Sequence, residues 1–373
     1  MSKVGIMSMQ RIANYGSFLQ AYALKQLIES LGHEVEFVDY HIGIPVIKDN
    51  ADKRNKYVRK IEKGLETFRY KAPLLHKLAF IQYKRSFGKK YMPILGITDE
   101  MNYVPELDCL VIGSDEVFNC IQKNSNVGYS PELFGKDNRA KKLITYAASF
   151  GNTTIDKLDT YGKTCEVGEL LRKFNAFSAR DLNTGKIIED LTGRIPVYHF
   201  DPVLTYDYMN CCGQIPDIKP AEKYLILYAY SGRITDKEAD WIAAYAKKKK
   251  LKVYAIGGIQ KCADRFIDCS PFEVLAYFKN AEEVITDTFH GSIFSVITHR
   301  RFTTLVRKSV GNSYGNEEKL TDLLERLQLT GRMAVDITDV KKINNEAADY
   351  GAVDTVLKQQ RDYAEKYLRD NIE

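Results

Sequence analysis

The stretch KVGIMSMQRIANYGSFLQAYALKQLIESLGHEVEFVDY, residues 3–40, decides the fold. Lys3 to Met7 reads as a short strand. Ser17 to Leu31 predicts a helix, because Leu19, Tyr22, Ala23, Leu27 and Leu31 recur near helical spacing. Gly32 stops the helix, and Val35 to Tyr40 follows as a second strand. Neighbouring parallel strands need a crossover helix between them, so this strand–helix–strand unit implies a parallel sheet.

The alternation continues along the chain with no clear internal repeat. Strand signals return at Cys109 to Ile112, Leu143 to Ser149 and Phe174 to Ser178. Residues 201–222, with Asp201-Pro202, Cys212-Gly213 and Pro216, read as a linker. A second alternating set follows: a strand at Tyr224 to Tyr230, a helix at Thr235 to Lys249 and a strand at Leu251 to Ile256. Thr235 with Glu238 forms a capping box, and Ser270, Pro271 and Glu273 open another helix in the same way. Val284 to Asp287 and Phe302 to Val306 read as strands around a helix from Gly291, and helices near Glu317 to Leu327 and Thr355 to Asn371 close the pattern. The expected fold is α/β: two Rossmann-like doubly wound domains facing across a cleft. The first domain spans 1–205 and carries a helical insertion at 48–90. The second spans 206–345. Residues 346–373 are expected as a helix packing back on the first domain.

The 373 residues suit two domains of ordinary size. A hydrophobic fraction of 45% with 28% charged residues excludes a largely disordered chain. A net charge of +5 is too small to argue for nucleic acid. No apolar run approaches the length of a membrane span, and Met1 to Gln10 lacks the pattern of a signal peptide. Seven cysteines without a Cys-x-x-Cys pair read as reduced thiols of a cytoplasmic protein, with no metal site expected. Residues 48–90 stand apart, with 14 Lys/Arg against 4 Asp/Glu. They read as amphipathic helices whose basic face is either solvated or turned to an anionic substrate or the membrane surface.

Open parallel sheets bind ligands beyond the carboxyl ends of their strands. After the first strand, Asn14-Tyr15-Gly16-Ser17 enters a helix. Gly16 permits close backbone approach and the helix N-terminus favours an anion, although a plain capped turn needs the same residues. After the 109–112 strand, Ser114, Asp115 and Glu116 place small and acidic groups where a sugar hydroxyl can be held or deprotonated; a capping role explains Ser114 or Asp115 almost as well. Arg180 follows the 174–178 strand and suits a carboxylate or phosphate, with a surface Arg180–Asp181 pair as the alternative. Ser231-Gly232-Arg233 repeats the idea more weakly. The most informative run is Thr286-Asp287-Thr288-Phe289-His290-Gly291-Ser292, where a strand ends at Asp287 and a helix opens at Gly291. The amides of Gly291 and Ser292, with the Ser292 hydroxyl, are candidates to hold a phosphate, and His290 is placed to move a proton. Arg307 and Lys308 follow the next strand and add positive charge. His199 reads as structural.

These motifs resemble the polysaccharide pyruvyl transferase family. The resemblance rests on Asn14 to Leu24, Val38-Asp39-Tyr40, Gly113 to Asn119, Tyr146 to Gly151, Ser178-Ala179-Arg180-Asp181, Asp201-Pro202-Val203-Leu204 and Asp287 to Gly291, in that order over roughly residues 5–330. It implies a GT-B-like fold and transfer of a pyruvyl group from phosphoenolpyruvate to sugar hydroxyls, forming a pyruvate ketal on a surface polysaccharide, such as an exopolysaccharide, or on its lipid-linked precursor. It implies His290 as the proton donor and Arg180 at the donor site. Family members often carry a second arginine two residues before that histidine; this chain has Thr288 there, with Arg307 or Lys308 as candidate replacements. The resulting expectation gives His290 and Asp115 catalytic roles and Arg180, Gly291, Ser292 and Lys308 donor contacts. Asn14, Gly16, Ser17, Ser114, Glu116, Ser231 and Asp287 are expected around an acceptor or lining the cleft. Phosphoenolpyruvate is a co-substrate; no resident cofactor, metal or nucleic acid is expected. The chain is expected in the cytoplasm, with 48–90 as a peripheral contact to the inner face of the membrane. A glycosyltransferase of the same fold using a nucleotide sugar, and a non-catalytic glycan-binding protein, are the alternatives.

Overall fold

The computed structural model describes residues 1–47, 66–122, 127–308 and 316–373. These divide into two compact units. The first takes its residues from 1–53, 92–206 and 357–373, the second from 54–91 and 207–356.

The first unit is a six-stranded, all-parallel sheet. Its strands are β1 (Lys3–Met7), β2 (Glu34–Phe37), β3 (Glu106–Asp115), β4 (Arg139–Ala148), β5 (Ser178–Ala179) and β6 (Val197–Tyr198), in the order β2-β1-β3-β4-β5-β6. The crossover expected from residues 3–40 is α1 (Tyr15–Ser30). Asn14 caps it by accepting from the Ser17 amide at 2.7 Å, and Gly32, at φ +87°, turns the chain out at its end. Tyr15 to Leu24 are all buried, so this helix is packed on every side rather than along one stripe. The order of strand addition reverses between β1 and β3, with β2 on one side and β4 to β6 on the other, which makes the ends of these two strands the switch point of the sheet.

The second unit is also six-stranded and all-parallel. Its strands are β7 (Tyr224–Tyr228), β8 (Lys252–Ile256), β9 (Arg265–Phe266), β10 (Glu283–Thr286), β11 (Phe302–Leu305) and β12 (Met333–Ala334), in the order β12-β11-β10-β7-β8-β9. Its switch point lies between β7 and β10. Both expected capping boxes are present, Thr235 with Glu238 and Ser270 with Glu273, the latter with Pro271 in the first turn. The four strands β7, β8, β10 and β11 are almost fully buried, as strands covered on both faces must be.

Two segments sit elsewhere in the chain's organisation than their sequence neighbours suggest. Residues 48–65 lie outside the described residues. The helix that follows, α2 (Leu74–Tyr91), packs in the second unit, where Phe80 and Tyr83 meet Phe266 of β9 edge to face at 5.6 and 6.2 Å. The expectation made it an insertion of the first; its aromatic face instead packs on β9 of the second. The long helix α3 (Tyr350–Ile372) starts in the second unit and ends in the first. There the Tyr367 hydroxyl donates to the Thr145 carbonyl at 2.9 Å. Residues 201–222, read as a linker, hold short helical turns at Pro202–Thr205 and Tyr208–Cys211.

Candidate active site

Each sheet gathers candidate residues at its own switch point. In the first unit, β3 ends at Asp115, whose φ of +73° lies in the left-handed region that aspartate tolerates better than most residues. Its carboxylate accepts from the Ser17 hydroxyl at 3.1 Å and from the Glu116 amide at 2.9 Å. Ser17 stands in the first turn of α1, so Asp115 itself occupies the place at that helix N-terminus where an anion is favoured. Asn14 is the cap and Gly16 is buried in the first turn.

Arg180, only 5% exposed, reaches the same carboxylate. Its Nη1 lies 3.7 Å from Asp115 Oδ1 and donates to Asp201 Oδ2 at 3.3 Å. Burial alone lowers the pKa of Arg180; Asp115, Asp201, Asp181 and Glu116 outweigh it, and the net shift is upward. Arg180, expected at the donor, therefore stands among carboxylates of the protein itself. Asp201 is fully buried and also accepts from the Ser114 hydroxyl at 3.4 Å and the Val203 amide at 3.1 Å. Its sequence signal, Asp201-Pro202, reads as the start of a linker and as part of a motif of the family resemblance, with no partner for Arg180 indicated. Glu116 accepts from the Asn119 side chain at 2.9 Å. Tyr40 is pushed up to about 12 by burial and by Asp115 and Asp39. The cluster is acidic and rich in acceptors. It suits the binding and orientation of hydroxyl groups.

His199, as expected, is structural. Its Nδ1 is 2.8 Å from the Ser178 hydroxyl, and Tyr146, Tyr363 and Tyr367 surround the ring within 5.3 Å.

In the second unit, β10 leads through Asp287 and Thr288 into α4 (Phe289–Ile297). Thr288 is the cap: its hydroxyl accepts from the Gly291 amide at 2.9 Å. The Ser292 amide donates to the Thr288 carbonyl at 3.2 Å. The Ser292 hydroxyl, fully buried, is within 2.8 Å of Thr304. Gly291 and Ser292, expected to contact phosphate, have these groups engaged within the turn itself. Gly291 is small for a packing reason. A Cβ there would meet Thr286 Oγ1 at 2.2 Å and Tyr228 Cδ1 at 2.8 Å. His290 follows the cap in the first helical turn, half-buried, with Phe289 and Phe294 beside its ring at 5.6 and 5.9 Å.

Positive charge converges on the residue before that turn. Asp287 is fully buried, and its Oδ2 lies 3.7 Å from Arg307 Nε and 4.0 Å from Arg233 Nη1. Burial raises the Asp287 pKa more than the two arginines lower it. Arg307 is held by a fork onto both Glu238 oxygens, at 3.0 and 3.3 Å, and its guanidinium is only partly exposed. Burial alone would raise Glu238, but Arg307 and the Thr235 capping contacts bring it below the usual carboxylate range. Arg233 lies over the Tyr230 ring at 4.5 Å. Asn316 ties the arrangement together, donating to the Asp287 carbonyl at 2.7 Å and accepting from the Arg307 amide at 2.6 Å. Lys308, expected at the donor, is 71% exposed and pairs with Glu317 at 3.9 Å; the cation aimed at the turn is its neighbour Arg307. Ser231 accepts from the Ile259 amide at 3.0 Å and braces the loop after β8. Among the described residues, no group of three His, Cys, Asp or Glu side chains is placed to hold a metal.

A family model, Polysaccharide pyruvyl transferase, matches residues 14–309. The chain belongs to the polysaccharide pyruvyl transferase family. It is accordingly a transferase of polysaccharide biosynthesis. Every residue of both clusters except Asn316 and Glu317 falls within the matched span, so the family assignment covers the two switch points. No curated protein matches the chain. Among solved structures, the UDP-N-acetylglucosamine 2-epimerase of Rickettsia bellii is similar over 99% of this chain and 95% of its own, at 10% identity and a TM-score of 0.52. That likeness is one of fold, and it agrees with two Rossmann-like units of the GT-B-like kind. MnaA of S. aureus, solved with UDP, aligns over 100% of this chain and 96% of its own at 11% identity, with a TM-score of 0.49. No helix among the described residues is long and apolar enough to cross a membrane.

Proposed function

We propose that the protein transfers the pyruvyl group of phosphoenolpyruvate to two hydroxyls of a sugar in a surface polysaccharide or its precursor, closing a pyruvate ketal. The observation that carries this reading, beside the family, is His290 in the first turn of α4 with Arg307 and Arg233 drawn to the preceding residues by buried Asp287.

The chemistry needs a proton on the donor's methylene carbon. That step leaves a cationic carbon at C2, to which the first hydroxyl adds as it loses its proton. The C2–O bond to phosphate then breaks, inorganic phosphate leaves, and the second hydroxyl adds in the same way. His290 is assigned the proton delivered to the methylene. Arg307 and Arg233 are assigned the phosphate and carboxylate of the donor, with the rigid fork to Glu238 fixing the first of them. Asp115 is assigned the orientation of an acceptor hydroxyl, and Arg180 with Asp201 positions Asp115. Phosphoenolpyruvate is consumed as a co-substrate, no resident cofactor enters the scheme, and the reading places the protein in the cytoplasm.

The test is to incubate the protein with phosphoenolpyruvate and a panel of glycan precursors, and to follow phosphate release and product mass. Acceptor-dependent phosphate release with a pyruvyl mass gain is expected, and His290→Ala is expected to lower it about 10²- to 10⁴-fold. A hexose mass gain from a nucleotide sugar, with no response to phosphoenolpyruvate, would overturn the proposal in favour of a glycosyltransferase. Failure to bind phosphoenolpyruvate at all would leave a glycan-binding protein.

A further inference from the structure

Helix α2 presents an apolar edge to solvent on the side away from its packing face. It buries Phe80, Tyr83 and Phe87. At 3.6 residues per turn, Leu74, Leu75, Leu78, Arg85 and Lys89 fall on the opposite side. The three leucines are 62%, 78% and 50% exposed, where leucines of a monomeric surface are normally scattered singly. Arg85 and Lys89 continue the same face toward the helix end and are exposed too. The helix carries five Lys/Arg and no Asp or Glu, so nothing on it offsets the charge.

We infer that this face of α2 docks on a bilayer containing anionic phospholipid. Charge decides the occupant. A helix with leucines clustered in one turn and cations further along lies in the plane of the interface, its apolar turn among the acyl chains and its cations at the headgroups. The other side of α2 is already fixed to β9, so the leucines reach a membrane without any part of the second unit unfolding. None of Leu74, Leu75, Leu78, Arg85 and Lys89 is assigned to donor or acceptor, and the inference does not depend on those assignments.

The test is co-sedimentation of the full chain with vesicles of phosphatidylcholine alone and of phosphatidylcholine with phosphatidylglycerol. Recovery is expected only with the anionic vesicles, and it should fall as salt rises. Arg85→Ala and Lys89→Ala are each expected to lower the partition coefficient about fivefold at low salt. Leu75→Glu and Leu78→Glu should remove binding while leaving far-ultraviolet circular dichroism and phosphoenolpyruvate-dependent activity on a soluble acceptor unchanged. Equal recovery on uncharged vesicles, no recovery on anionic ones, or wild-type binding by the glutamate variants would each overturn the inference. So would a solution dimer that Leu75→Glu dissociates, since the face would then belong to a second copy.

Discussion

Gly291→Ala adds a single methyl group at the mouth of α4, and its consequence can be worked out from the contacts there. An ideal Cβ would lie 2.2 Å from Thr286 Oγ1, whereas ordinary contact begins at 3.4 Å. Thr286 cannot simply move aside. Its hydroxyl donates to the Tyr228 carbonyl at 2.7 Å and accepts from the Thr288 amide at 3.1 Å, all within the buried interior. Forcing a methyl into a filled site costs about 1–3 kcal/mol. Loosening one of these buried hydrogen bonds adds about 1 kcal/mol. The higher helix propensity of alanine returns about 1 kcal/mol. The net loss is about 1–3 kcal/mol. With a urea slope of about 2 kcal/mol/M, a loss of about 2 kcal/mol lowers the unfolding midpoint by about 1 M. Trp241, the chain's one tryptophan, lies in the second unit and stacks on Tyr245, so its fluorescence reports this unit. Thr286→Ala removes the obstructing hydroxyl, and the double variant should recover part of the loss, with a coupling of about 1 kcal/mol or more. A Gly291→Ala protein that keeps its midpoint but loses donor binding would refute the reasoning, because the methyl would then be blocking a ligand.

Three further outcomes are expected. Asp201→Ala strips a buried partner from Arg180 and should cost the first unit about 3–5 kcal/mol; Arg180→Met in the same chain should restore much of it, and additive losses by chemical unfolding would count against the pair. Arg307→Lys gives up the fork onto Glu238 and should raise the KM for phosphoenolpyruvate about tenfold; an unchanged KM would remove Arg307 from the donor contacts. Asp287 has a raised carboxyl, so its contribution to stability is complete below the unfolded value of about 3.9 and is lost as pH climbs through the folded one. Asp287→Asn should therefore flatten the stability profile over that range. A variant whose profile still parallels the wild type there would show that another group sets the slope.

Much of the architecture was readable because its signals are local. The 3–40 unit, the Thr235–Glu238 box and the Ser270–Pro271–Glu273 start each depend on residues a few positions apart. The strands β5, β6, β9 and β12 contain two residues each, too few for any alternation to register, and only pairing with a neighbour defines them. The candidate site divides in the same way. The places of Asp115 at a strand end and of His290 at a strand-to-helix junction were legible in the sequence. The convergence of Arg233 and Arg307 on Asp287 was not, because three separate strand ends supply it. Nor was the grip of Asp201 on Arg180, since an Asp-Pro pair announces a turn and says nothing of a distant guanidinium. At Gly291 and Ser292 the strand-end rule did not reveal that local hydrogen bonds of the cap engage the same groups.

The composition of the first unit bears on how the chain is made. Ala364 and Leu368 are fully buried, and Tyr363 and Tyr367 close over His199. Those side chains come from the end of α3, whereas the sheet they complete ends at β6. The ribosome must therefore release the whole of 207–356 before that sheet can finish its own interior. A nascent chain waits in the meantime with Tyr146 and His199 uncovered. Messages truncated before residue 364 would yield a protein whose second unit can be whole while its first cannot, and a protease or chaperone acting during synthesis would meet that bare aromatic face first.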